Sequence, residues 1–138
     1  MLYVASQSAE LPLIITPRLF GINTFHEERS IKKGSIYVYD TKEDTNNKIL
    51  DNLPTCTSVK DESCHASLTW FPDSEHLIFI NDKRINIMEY DSTNSTTIYG
   101  GPFMDNYAFP WPNGSKIVIV TNLNNPQIPP TLYTISLK

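Results

Sequence analysis

An internal repeat of 40 residues is the feature that most limits what this chain can fold into. Aligning Pro72 with Pro112 places the apolar run at 77–80 over the apolar run at 117–120. In each copy a Pro-Asp or Pro-Asn pair separates two short runs of β-branched and aromatic residues, which predicts a strand, a turn and a strand. A period of roughly 40 to 45 residues built in this way is typical of the blades of a β-propeller. The repeat therefore predicts a scaffold before it predicts any chemistry.

Composition and charge exclude several classes of protein. The chain has 138 residues, of which 40% are hydrophobic and 19% are charged, as expected of one folded domain. A net charge of −4 argues against nucleic acid, because proteins that bind it present a basic face. No apolar run approaches the roughly 20 residues that span a bilayer. The apolar run at 11–15 is broken by Pro12 and lacks the flanks of a signal peptide.

The strand and turn signals predict an all-β fold, a partial β-propeller of antiparallel four-stranded blades with about two to three blades. Residues 1–53 form a partial blade with a long proline-rich insertion at 8–33, and 54–65 form a cysteine-containing loop. Residues 66–101 form a complete blade, and 102–138 form a C-terminal blade that lacks its outer strand. We expect the bare edges and faces of such a fragment to be covered by the remaining blades of a longer propeller or by self-association.

The two cysteines lie in the predicted loop at 54–65, where seven residues separate Cys56 from Cys64. A disulfide between them would close a short loop and give a modest entropic stabilisation. Two free thiols are the alternative. Neither cysteine has the spacing to a second Cys or His that zinc sites show, so the sequence predicts no metal site there.

A Tyr-Asp pair ends the third strand of two predicted blades, at Tyr39-Asp40 and at Tyr90-Asp91. The tyrosine can pack between sheets, and the aspartate can accept hydrogen bonds from the amides of the following turn. An acidic metal site is excluded because no ladder of alternating oxygen ligands follows. The pair is interpreted as structural, and no cofactor is predicted.

The central repeat resembles the TolB-like repeat, also called the WD40-like β-propeller repeat. The residues that carry the resemblance are Trp70, Pro72 and Asp73 of the turn, the following apolar strand, and the strand that ends at Tyr90-Asp91. Phe71 stands where the family has Ser, and Ser74 where it has Gly. The second copy keeps the turn as Trp111, Pro112 and Asn113 but shifts the tryptophan by one position.

Further segments follow in a characteristic order, namely 3–9, the proline-rich insertion, Glu28-Arg29, 34–40 and Leu132-Tyr133. This order is similar to that of the C-terminal blades of propeller proteins from small-genome candidate-phylum bacteria. Such proteins often carry an N-terminal membrane anchor and a PEGA domain before the propeller. The resemblance implies an extracytoplasmic protein of the cell envelope, attached to the membrane only through an anchor that these residues do not contain. A cytoplasmic location stays open.

The leading functional hypothesis is a non-catalytic scaffold or binding module that contacts another protein. Propellers bind through loops, which here are the insertion at 11–33, the loop at 54–65 and the loop at 122–130. Candidate contact residues are Phe20, Phe25, Arg29 and Phe103.

Two alternatives belong to other functional classes. TolB-like propellers also form the gating domain of prolyl-oligopeptidase-type serine peptidases, but this chain has no Gly-x-Ser-x-Gly elbow and its histidines fit no triad. A glycan-binding platform made of Trp70, Tyr107 and Trp111 is the other alternative, and packing inside the blades competes with it.

Overall fold

A computed structural model describes residues 1–16, 27–51, 68–104 and 107–137 of the chain. These residues form twelve strands and no helix, so the predicted all-β class is confirmed. The strands are β1 (Leu2–Val4), β2 (Ala9–Glu10), β3 (Ser30–Ile31), β4 (Ile36–Asp40), β5 (Thr45–Leu50), β6 (Leu68–Trp70), β7 (His76–Asn81), β8 (Arg84–Glu89), β9 (Thr96–Tyr99), β10 (Ala108–Pro110), β11 (Lys116–Thr121) and β12 (Thr131–Ser136). Within the described ranges there is no helix that could span a membrane.

All strand pairs are antiparallel, and they make four sheets with the orders β1-β4-β5, β2-β3, β6-β7-β8-β9 and β10-β11-β12. The chain divides into two compact units. The first comprises Met1–Leu53 and Tyr90–Thr93, and the second comprises Pro54–Glu89 and Asn94–Lys138.

The sheet β1-β4-β5 is covered on both faces. Ile36, Tyr37 and Val38 are consecutive in β4 and all are buried, although neighbouring side chains of a strand point to opposite faces. The ring of Tyr37 stacks on Tyr3 of β1 with the ring centroids 5.6 Å apart, and its hydroxyl accepts a hydrogen bond from the amide of Lys32. The end of the insertion therefore lies against this sheet.

The insertion is more regular than the sequence predicts. Its two arms pair as β2 and β3, and Glu27 forms an antiparallel bridge with Asn47 at the outer edge of β5. The run from Asp40 to Asn47 is polar and predicts a turn, but its last three residues, 45–47, are the buried start of β5. The reason is that the insertion satisfies their polar groups: Asn46 accepts the amide of Glu28 and donates its side-chain amide to the carbonyl of Glu28.

The core of the second unit lies between its four-stranded and three-stranded sheets. Buried residues from both sheets form it, namely Ile78, Ile85, Ala108, Ile117 and Ile119. Burying branched aliphatic side chains between two sheets removes apolar surface from water, at about 25 cal/mol per Å². Leu77 and Phe79, on the other face of β7, are buried as well. β7 is thus a central strand with both faces covered.

The two copies of the 40-residue repeat form the same backbone hydrogen bonds in their turns at Pro72 and Pro112. The amide of Phe71 donates to the carbonyl of His76, and the amide of Trp111 donates to that of Lys116. The fourth residue of each turn has a positive φ, 64° at Ser74 and 70° at Gly114. The two turns therefore have the same backbone conformation. Only the second turn has, at its fourth position, the glycine that a positive φ favours.

We expect Ser74→Gly to stabilise the protein. A non-glycine residue in the left-handed region costs ~1–2 kcal/mol, which the glycine would recover. The greater conformational entropy of glycine in the unfolded chain offsets ~0.5–1 kcal/mol of this recovery. The free energy of unfolding should therefore rise by about 0.5–1 kcal/mol in chemical denaturation.

The matched control is Gly114→Ala at the equivalent position. It imposes the same backbone cost, and its Cβ would lie 3.0 Å from the ring of Phe71, so the free energy of unfolding should fall. If Ser74→Gly lowered stability, the equivalence of the two turns would be wrong.

Candidate functional site

The first arm of the insertion ends in an exposed apolar segment. After β2, the amide of Leu11 donates to the carbonyl of Arg29, and the chain then leaves the small sheet. The next residues include Leu13, Ile14 and Ile15, which are all exposed, Ile14 to 74%. We call residues 13–15 the apolar tip. Single exposed apolar residues are common on protein surfaces, whereas three in succession make a continuous apolar surface.

A buried carboxylate holds the backbone of the apolar tip. Asp44 is 1% exposed and its Oδ2 accepts the amides of Ile14 at 2.8 Å and Ile15 at 2.9 Å. It lies in the turn between β4 and β5 with φ of 51°, a conformation that Asp and Asn adopt more readily than most residues. The tip is therefore fixed by a residue 30 positions away from Ile14.

The other carboxylate oxygen of Asp44 is also occupied. Its Oδ1 accepts the hydroxyl of Tyr39 at 2.6 Å and the guanidinium of Arg29 at 3.2 Å. Arg29 also donates to the backbone carbonyl of Asp44, to the carbonyl of Pro12 and to the side chain of Glu27. A buried charge is costly unless it is paired and hydrogen-bonded, and here both conditions are met.

The hydrogen bond from Tyr39 and the amides of Ile15 and Ile14 hold the pKa of Asp44 well below its usual range. The same bond to Asp44, together with burial, raises the pKa of Tyr39. At neutral pH the aspartate is therefore charged and the tyrosine protonated. These groups act as a clamp on the apolar tip, which we call the Asp44 clamp, and no proton transfer follows from this arrangement.

The structure gives some of the predicted contact residues other partners. Arg29 belongs to the Asp44 clamp, with 18% of its side chain exposed. The ring of Phe103 lies 6.0 Å from that of Tyr99 and packs against the core of the second unit. Phe20, Phe25, Cys56 and Cys64 lie outside the described residues. In the predicted loop at 122–130, Leu123 and Ile128 are exposed.

The predicted aromatic platform is only partly assembled. Tyr107 and Trp111 are about half exposed, and Phe109 between them is 53% exposed. These alternate positions of an extended segment point to one face of the sheet β10-β11-β12. Trp70 is partly buried in β6 of the other sheet. We call Tyr107, Phe109 and Trp111 the exposed row. Trp70, which the sequence assigned to the platform, does not belong to it.

The repeat residues act within turns. Oδ1 of Asp40 accepts the amide of Lys42, and Oδ1 of Asp91 accepts the amide and hydroxyl of Thr93. Pro72 and Pro112 lie in the two equivalent turns, and Asn113 accepts the amide of Ser115. Tyr90 is partly buried.

His76 is the described histidine with a carboxylate partner. Its Nδ1 lies 2.7 Å from Oδ2 of Asp73, whose Oδ1 accepts the amides of Glu75 and His76. The contact between Asp73 and His76 therefore stabilises the turn that contains Pro72. Among the residues that the structure describes, no group of three His, Cys, Asp or Glu side chains is arranged to hold a metal ion.

Sequence reasoning missed Asp44, the residue on which the apolar tip depends. The polar residues around Asp44 predict a turn, and the structure does place Asp44 between β4 and β5. The available signal was an apolar run at 11–15 that the sequence pattern did not place in any strand. No local pattern connects that run to Asp44.

Comparison of the chain with protein-family models, with curated proteins and with solved structures returned no match. The residues and geometry of the chain itself therefore carry the functional argument.

The lowered pKa of Asp44 predicts how stability depends on pH. The unfolded chain takes up a proton at Asp44 near pH 4, whereas the folded chain does so only at lower pH. The contribution of Asp44 is thus fully present above about pH 4 and is lost as the pH falls through the folded pKa. Asp44→Asn should lower the midpoint of thermal unfolding by several degrees at pH 7, and the difference from the unchanged protein should shrink at pH 3.

The matched control is Asp40→Asn in the same turn. An asparagine oxygen can still accept the amide of Lys42, so this variant should keep both its stability and its pH profile. A difference between Asp44→Asn and the unchanged protein that is equal at pH 7 and pH 3 would contradict the clamp.

Proposed function

We propose that this chain is a non-catalytic β-repeat scaffold that binds another protein through the apolar tip. The observation that carries the proposal is the pinning of Ile14 and Ile15 by the buried Asp44. A surface loop without a partner gains nothing from presenting three apolar side chains to water. A rigid apolar tip, by contrast, loses little conformational freedom on binding, and this is the physical basis of preorganised contact sites.

The four-stranded and three-stranded sheets of the second unit are proposed to be neighbouring blades of a TolB-like propeller. Three observations support this arrangement: the 40-residue step, the matching turn hydrogen bonds of Phe71 and Trp111, and the apolar core shared by the two sheets. In the proposed arrangement each sheet covers one face of the next. A site at the bacterial cell envelope follows from the family resemblance, and the partner is an envelope protein.

A glycan is the second candidate ligand, and the exposed row of Tyr107, Phe109 and Trp111 favours it. Aromatic rings at alternate positions of a strand offer successive apolar faces on which sugar rings can stack. This surface belongs to the second unit and the apolar tip to the first, so the two candidates can be tested separately.

Site-specific photo-crosslinking tests the protein-binding proposal. A photoreactive amino acid at Ile14, expressed in bacteria, should give a discrete protein adduct in the envelope fraction. The same label at Glu43, an exposed residue of the turn that contains Asp44, is the matched control and should give none. Adding Asp44→Asn should reduce the adduct at Ile14 several-fold, because the tip is no longer fixed.

Equal adducts at Ile14 and Glu43, or an adduct that Asp44→Asn leaves unchanged, would contradict the role of the tip. Covalent labelling of the purified chain by a fluorophosphonate would contradict the non-catalytic assignment, because it would reveal an activated serine.

Tryptophan fluorescence tests the glycan candidate with soluble peptidoglycan fragments as the probe. Binding at the exposed row should change the emission of Trp111 in a saturable way. Phe109→Ser, which removes the central ring, should weaken the affinity about two- to thirteenfold, in line with ~0.5–1.5 kcal/mol for a stacked ring. Trp70→Phe leaves the row intact and serves as the control. A response that Phe109→Ser leaves unchanged would reject this ligand.

A further inference from the structure

The sheet β10-β11-β12 ends at β12, and we call the outer side of this strand the open edge because no described residue pairs with it. β12 pairs with β11 along all six residues from Thr131 to Ser136, and the described part of the chain supplies no strand on its other side. In the four-stranded sheet of the same unit, β9 occupies the position beyond β8. Leu132 of β12 is 72% exposed. The three-stranded sheet is therefore one strand shorter than its neighbour.

The hydrogen-bond pattern shows which amides face the open edge. The amide of Leu137 donates to the carbonyl of Ser115, and hydrogen-bonded pairs alternate with non-bonded pairs along an antiparallel ladder. Counting back from Leu137 toward Thr131, every second residue is hydrogen-bonded to β11 through its backbone. The residues whose amides point away from β11 are Leu132, Thr134 and Ser136.

The sequence of β12 lacks two protections that edge strands often have, namely charged residues and proline. Its sequence, Thr-Leu-Tyr-Thr-Ile-Ser, contains no charged residue and no proline. The edge of β5 is different, because the insertion covers it through the bridge of Glu27 to Asn47 and the bond of Glu28 to Asn46. The described residues therefore cover the edge of β5, whereas none of them pairs with the outer side of β12.

We propose that the open edge of β12 pairs with the same edge of a second copy of this chain. The two strands run antiparallel about a two-fold axis at Thr134, so the outward amides of each copy meet outward carbonyls of the other. This register places Thr134 opposite Thr134 and Tyr133 opposite Ile135 of the second copy. Thr-Thr and aromatic-β-branched pairs are favourable cross-strand neighbours, so the edge is complementary to itself.

The proposed pairing extends the existing core. Tyr133 and Ile135 lie directly opposite Ile119 and Ile117 of β11, so their side chains are on the core face of the sheet. Ile135 already packs against that core. Tyr133 of the second copy would cover Ile135 from the open side. A two-fold contact of this kind is closed, so the product is a dimer and not a fibre.

Sedimentation velocity over a concentration series tests the dimer with the full chain. Thr134→Pro removes the central outward amide without breaking a hydrogen bond to β11, because proline is tolerated where the amide of an edge strand faces solvent. The chain should sediment as a dimer at high concentration, and Thr134→Pro should sediment as a monomer. Thr134→Val keeps the amide and the branched shape and is the matched control, which should remain dimeric.

Disulfide trapping tests the register. Residues that form a hydrogen-bonded antiparallel pair have Cα atoms about 5.5 Å apart, within the range that a disulfide spans. Thr134→Cys should therefore give a dimer linked through position 134 on mild oxidation, as identified by peptide mapping. Thr131→Cys is the control, because the two copies of position 131 would lie about 20 Å apart in this register and should not link.

A monomer at every concentration, or a dimer that Thr134→Pro leaves intact, would overturn the proposal. A dimer abolished by Phe109→Ser but unaffected by Thr134→Pro would assign self-association to the exposed aromatic row and would also overturn it. None of these results depends on what the apolar tip binds.

Discussion

The need of a small sheet to cover two apolar faces governs this structure. β7 shows the constraint most clearly, since Ile78 on one face and Leu77 and Phe79 on the other are all buried. One sheet cannot bury both of its faces alone, so the four-stranded sheet uses Ile78 and Ile85 to pack on Ile117 and Ile119 of the next sheet. Dispersion and removal of apolar surface from water supply the free energy, and the repeat ensures that each sheet presents a matching surface.

The first unit meets the same constraint by polar means. The insertion lies on the sheet β1-β4-β5 and along the edge of β5, where buried Asn46 and Asp44 hold it by hydrogen bonds. The side chains of Asn46 and Asp44 both have hydrogen-bond partners, which is the condition for buried polar groups to stabilise a fold. Asp44 combines two roles here, because it neutralises Arg29 inside and fixes exposed apolar residues outside.

The three surfaces with proposed roles share one property, namely apolar groups that the described residues leave exposed. The apolar tip is rigid because a buried charge holds its backbone. The row of Tyr107, Phe109 and Trp111 is rigid because it belongs to a sheet. The edge of β12 combines apolar side chains with amides that bond to no described residue. Each feature would be a liability in a chain without partners, and their rigidity distinguishes them from loops that merely lack packing.

The sequence by itself determined the all-β class, most strand positions and the Pro turns, because hydrophobic alternation, proline and turn-forming Asp or Asn act within a few residues. The 40-residue offset also agrees with the structure, because Phe71 and Trp111 make equivalent backbone hydrogen bonds. Only the tertiary structure decided the Asp44 clamp, the pairing of the insertion with β5 and the exposure of the apolar tip. These features join residues far apart in the chain, 30 positions in the case of Ile14 and Asp44. A local pattern carries no information about such contacts, because they form only when the sheet has already brought the two segments together.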